Sequence, residues 1–81
     1  MTDRSILDHI NELAREEEEL WLRAGHEGGL DGDEKERLDA IAIELDQSYD
    51  LLRQRQAKRE YGQDPEEAEL RPPDVVEGYQ Q

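Results

Sequence analysis

The sequence predicts an all-α fold: an antiparallel two-helix coiled-coil hairpin with a short C-terminal helix or extended tail, dimerising into a four-helix bundle. Three observations predict it. Apolar residues recur at helical spacing in two long stretches, a glycine-rich segment separates them, and their apolar layers coincide every seven residues when the chain is folded back. The hairpin is expected over residues 1–62, with a helix at 3–24, a loop at 25–32 and a second helix at 33–61. The tail is expected over 63–81, with a short helix at 65–70.

In the first stretch, Thr2 or Asp3 can cap the exposed N–H groups, and Asp8 suits the positive end of the helix dipole. Ile6, Leu7, Ile10, Leu13, Ala14, Leu20, Trp21 and Ala24 fall on one face when residues advance by about 100° each. That stripe is wider than one partner helix covers, which is the first argument for a second surface against it. Gly25-His26-Glu27-Gly28-Gly29 ends the helix, because glycine adopts turn conformations at little cost. Asp31 followed by Glu34 is a capping-box pattern that opens the second helix. Its expected face is Leu38, Ile41, Ala42, Leu45, Tyr49 and Leu52, and Gly62 is the stop.

A short loop forces the helices antiparallel, and the register follows from residue numbers. Leu20 with Leu38, Leu13 with Leu45 and Ile6 with Leu52 form three layers, and the same register sets Ile10 beside Ser48, Glu17 beside Ile41 and Asp3 beside Arg55. Beyond Gly62, Asp64-Pro65-Glu66-Glu67 reads as a cap, a proline at the first helical position and acids on the positive dipole end. Pro72-Pro73 should end that helix. Val75, Val76 and Tyr79 then place three hydrophobic side chains in a polar tail, so the tail is expected to be an interaction element. The first helix of a dimer, with its spare apolar width, is its favoured seat.

Composition narrows the function. Only 33% of the 81 residues are hydrophobic and 41% are charged, so a lone hairpin buries little, and self-association or docking on a partner is expected. The net charge of −13 argues against direct nucleic-acid binding and against an anionic membrane surface. No apolar run is long enough to span a bilayer and no signal-peptide pattern is present, so a cytoplasmic setting is expected. With no cysteine there is no disulfide, thiolate metal site or thiol nucleophile, and no cofactor is expected.

Several residue groups could nevertheless carry a function. Arg53, Arg55, Lys58 and Arg59 are the one concentrated basic run, and without them six basic residues face 23 acids. They read either as a docking patch for an acidic protein or phosphate, or as C-terminal helix charges paired with Asp3, Asp64, Glu66 and Glu67; the pairing is favoured. Asp31, Asp33 and Glu34 put three acids at the hairpin tip, where N-terminal capping accounts for them and the calcium-loop spacing does not fit. By analogy of shape, such a tip suggests an alternative: a regulator of the transcription machinery. Glu17 interrupts the apolar stripe, and either specifies an oligomer or reaches the edge of a thin interface, the second being favoured. Trp21, Leu22, Ile43 and Leu51 lie at or beyond the stripe borders and, with Glu17, form the expected oligomer interface. His9 and Ser48 become neighbours across the hairpin, but a thin helical pair offers neither pocket nor oxyanion site, so no enzyme is expected. His9 and His26 are too far apart along the first helix to share a metal.

The glutamate run Glu16–Glu19 with the glycine loop after it, the strings Leu45-Asp46-Gln47 and Leu51-Leu52-Arg53-Gln54-Arg55, and the ending Arg71-Pro72-Pro73-Asp74-Val75-Val76-Glu77-Gly78-Tyr79 carry a resemblance. Over its full length the chain resembles a family of short acidic actinobacterial proteins catalogued as a domain of unknown function. Tyr49 departs mildly, standing where that family has a larger aromatic. The resemblance implies a bacterial cytoplasmic setting and a hairpin-plus-tail plan, and it brings no activity, cofactor or catalytic residue. The function expected from all of this is a non-catalytic protein–protein interaction, adaptor or regulatory module, acting as a homodimer on a protein partner that the residues do not identify.

Overall fold

Both long helices begin where side chains satisfy backbone N–H groups that have no partner one turn earlier. Thr2 accepts from the Ser5 amide at 3.1 Å while the Ser5 hydroxyl accepts from the Thr2 amide at 3.1 Å. Asp31 and Glu34 repeat that reciprocal exchange before the second helix, at 2.8 and 3.3 Å. In the computed structural model, which describes residues 2–26 and 28–76, these caps open α1 (Asp3–Ala24) and α2 (Gly32–Glu60). Gly28 and Gly29, both at positive φ, carry the reversal between them.

The end of α2 is a Schellman motif. Gly62 sits in the left-handed region at φ 71°, its N–H donates to the Arg59 carbonyl, and the Gln63 N–H reaches back to the Lys58 carbonyl at 2.7 Å. The chain then turns through a 3-10 turn at Pro65–Glu67, runs extended to Pro72 and closes with one helical turn, α3 (Pro73–Val76).

The core lies between α1 and α2 in two consecutive clusters. Leu13, Leu20 and Ile41 form one, flanked by Leu30, Leu38 and Leu45; Ile6, Ile10 and Leu51 form the other, flanked by Leu45, Leu52 and Ala68. Each predicted layer falls within one cluster, and the predicted neighbours Asp3 and Arg55 meet at 2.5 Å, so the register is as expected. At 1.5 Å per residue, α1 is about 33 Å long and α2 about 43 Å, so α2 overhangs by about 10 Å. The chain reverses beyond that overhang and returns along α2 past Arg55, Gln54, Asp50 and Gln47. The molecule measures 53 × 24 × 18 Å with a radius of gyration of 15.1 Å, against about 12 Å for a compact chain of this length.

Three expectations are corrected. Leu51 is a core residue, 5% exposed, because Ile6 and Ile10 approach it from α1 and Ala68 covers its cluster from the tail. Ala42 and Tyr49 are exposed, since α2 turns them past the seam. The helix expected at 65–70 is only a 3-10 turn, and a helical turn follows Pro72 because Pro73 occupies its first position, where a missing N–H costs nothing. The returning segment at residues 68–71 lies along α2, with Ala68 against the Ile6, Ile10 and Leu51 cluster.

A side chain at Gly62 would meet no atom within 4 Å, so its cost is backbone strain alone. Gly62→Ala is expected to lower stability by about 1 kcal/mol, measured by urea denaturation, with helix content unchanged at low temperature.

Candidate functional site

Packing two helices along one seam leaves a slab with two long edges. The first edge is polar. Arg37 pairs with Glu16 at 2.5 Å, Arg23 with Glu34 at 2.6 Å, and His9 Nε2 stands 4.0 Å from Glu44. At its Ser5 end a groove of about 440 Å³ opens, floored by Ile6 and Leu51, rimmed by His9, Glu44, Gln47 and Ser48, and walled by Leu70 of the tail. His9 and Ser48 thus line one groove, as the register required. Its chemistry is that of a recognition pocket, an apolar floor with hydrogen-bonding groups at the rim. Among the described residues no three metal-type ligands converge.

Beside this groove the tail forms a strap across α2, running antiparallel to it. The Gln54 side-chain amide donates to the Glu69 carbonyl at 2.6 Å and accepts from the Glu69 N–H at 3.4 Å. The Gln47 amide donates to the Arg71 carbonyl at 3.1 Å. Arg71 Nε reaches Asp50 Oδ2 at 3.2 Å, and Gln54 also donates to that oxygen. Asp50 is only 3% exposed, so the strap and its own helix supply what water would otherwise give it. No buried side-chain nitrogen or oxygen among the described residues lacks a partner.

The basic run is divided by helix face. Arg55, 6% exposed, bonds Asp3, the Pro65 carbonyl and Glu66, and Arg59 joins it on the Asp3 carboxylate. Arg55 is therefore an internal clasp and not an accessible docking group. Arg53 is exposed and Lys58 half-buried. At the tip, Asp31 and Glu34 are engaged in the capping box and Glu34 also holds Arg23, while Asp33 is exposed.

The second edge is apolar. Leu7, Ala14 and Trp21 are spaced by seven and stand on the side of the α1 core stripe away from His9, Glu16 and Arg23. Ala42 and Tyr49 stand likewise on α2, away from Arg37 and Glu44. The five share one edge, with Leu7 47%, Tyr49 48% and Trp21 60% exposed.

The interface expected from sequence does not assemble. Of its members only Trp21 lies on this edge; Leu22 is exposed on the outer face of α1, Ile43 is half-buried on the outer face of α2, and Leu51 is core. Glu17 is half-buried. Leu7, Ala14, Ala42 and Tyr49 were assigned to the seam instead, although their constant seven-residue spacing beside the stripe was a readable signal. Gln47, Asp50 and Gln54, polar at helical spacing, were also missed. For Val75 and Val76 only the backbone is described, and Tyr79 lies outside the described residues.

A sequence profile described as Protein of unknown function (DUF2630) matches residues 2–81. An uncharacterised protein of Mycobacterium bovis is 50% identical over 78 residues, covering 96% of this chain and 90% of its own length. Uncharacterised proteins from two strains of Mycobacterium tuberculosis match to the same extent. No solved structure matches.

The clasp makes stability depend on acid. The hydrogen bonds from Arg59 and Arg55 hold the Asp3 carboxyl below its ordinary 3.8. A carboxyl lowered on folding stabilises fully above its unfolded value, and the contribution is lost as pH falls through the folded value. The stability difference between the native chain and Asp3→Asn is therefore expected to be constant from pH 7 to 5 and to shrink below about pH 4, followed by urea denaturation at each pH.

Proposed function

For a chain that belongs to the family described as Protein of unknown function (DUF2630), we propose a non-catalytic protein–protein interaction module that works as a homodimer. The apolar edge formed by Leu7, Ala14, Trp21, Ala42 and Tyr49 carries the reading. Large apolar groups in line on a small hydrophilic chain are costly to leave in water, and a second copy offers a matching edge. Two slabs joined there make a four-helix bundle whose core includes side chains that a single hairpin leaves exposed. Only six hydrophobic residues are buried among those described, few for a chain of this size, and pairing relieves that shortage.

The rest of the reading follows from charge and from the grooves. A net charge of −13 disfavours nucleic acid and anionic lipid as partners, and no helix is long and apolar enough to cross a membrane. A protein partner in the cytoplasm fits best. The groove at His9 and Ser48 suits holding a side chain better than acyl transfer, since it is an open recess on a helical edge. The alternative, a transcription regulator acting through its tip, is less favoured because capping already engages Asp31 and Glu34.

The chain is expected to sediment at twice its 9.4 kDa mass at micromolar concentration. Trp21→Glu or Tyr49→Glu should give a folded monomer, the loss of the Trp21 contact alone being about 3 kcal/mol. Because both copies carry −13, added salt should tighten the dimer. A native chain that stays monomeric at 100 μM would rule out this reading.

A further inference from the structure

α2 holds the strap as a receptor holds an extended peptide. Gln54 reads the backbone of Glu69 through both of its polar atoms, Gln47 reads the Arg71 carbonyl, and Asp50, 3% exposed, reads one side chain, the Arg71 guanidinium. Ala68 rests on the cluster of Ile6, Ile10 and Leu51. These contacts define a polar track along one face of α2, with the Asp50 carboxylate between Gln54 and Gln47 as its recognition point for an arginine side chain.

The resident strap fits that site incompletely. Leu70 borders the groove of about 440 Å³ yet remains 59% exposed, so the apolar floor of Ile6 and Leu51 is walled but not filled. Behind the strap a second opening of about 210 Å³ remains between Lys58, Tyr61, Gln63 and Arg71. We propose that the track and the groove beside it are a docking site for an extended segment of another protein, bearing a large apolar residue followed by arginine, and that the chain's own strap occupies the site at rest.

The occupant is a different protein because of competition. The strap of a second copy would make the same contacts as the resident one, which is tethered through Gly62 at an effective concentration on the order of millimolar. An equal ligand in trans loses to it. A segment with an aromatic residue where Leu70 stands buries more surface in the groove and displaces the strap. This surface is separate from the apolar edge, so it stands whether or not the chain dimerises.

The test uses the full chain and labelled peptides with the sequence of residues 64–74, read by fluorescence anisotropy. Arg71→Glu in the chain repels its strap from Asp50 and leaves the site open. The peptide carrying Leu70→Trp is expected to bind this variant at least tenfold more tightly than the native chain, and at least fivefold more tightly than the unsubstituted peptide does. Adding Arg71→Glu to the peptide, or Asp50→Asn to the opened chain, should weaken binding at least tenfold. On the native chain, excess Leu70→Trp peptide should shift the Gln47 and Gln54 side-chain amide resonances and leave the Trp21 indole resonance in place. That measurement decides the matter if the Arg71→Glu chain does not fold. Unmoved Gln47 and Gln54 resonances, or equal binding of peptides with and without the arginine, would overturn the proposal.

Discussion

Arg55 is the point on which three segments depend. Its guanidinium joins the start of α1 through Asp3, its own helix α2, and the returning chain through the Pro65 carbonyl and Glu66. Burying a cation to 6% exposure is tolerable only because each direction it faces supplies an acceptor. The arrangement follows from unequal helix lengths. α2 overhangs α1 beyond the Asp3–Arg55 contact, and the chain reverses there and folds back to lay Ala68 on the cluster of Ile6, Ile10 and Leu51. The clasp fixes where the return begins, and through it the strap meets the track at Gln54, Asp50 and Gln47 in turn.

The molecule uses two kinds of adhesion and keeps them apart. The seam between the helices is apolar and specifies register through Leu13, Leu20 and Ile41, which must interdigitate. The strap is held chiefly by amide-to-backbone hydrogen bonds and the Arg71–Asp50 ion pair, with Ala68 packed on the core. Hydrogen bonds of this kind exchange with water at a modest net gain, about 1 kcal/mol each. The strap is therefore the part most easily exchanged for something else, and the seam the part least so.

Much of the hairpin was legible in the residues because local signals and global pairing agree. The Asp31–Glu34 capping box, the glycine reversal and the coincident leucine layers each point to the same register, and the Asp3–Arg55 contact follows from it. The edges were not legible to the same degree. Leu51 and Tyr49 differ by two positions, and a stripe drawn at helical spacing alone does not say which of them faces Ile6 and Ile10. The answer depends partly on the strap, which adds Ala68 to that cluster from sixteen or more residues away. The track was missed for a related reason: glutamine and aspartate on a helix read as solvent-facing unless something is known to lie over them. Of the residues expected at an interface, only Trp21 falls on the exposed apolar line through Leu7, Trp21 and Tyr49.

Because α2 grips the strap largely by its backbone, inheritance should act on the strap's length more than on its composition. Gln54 engages the amide and carbonyl of residue 69, whatever side chain stands there, so Glu69 can drift freely. An extended segment turns alternate residues to opposite sides. Losing or gaining one residue between Ala68 and Arg71 would face the guanidinium away from Asp50 while Ala68 stays on the core. Descendants of this chain can therefore change the strap's lettering widely, but insertions and deletions there should be purged as strictly as changes at Ile41.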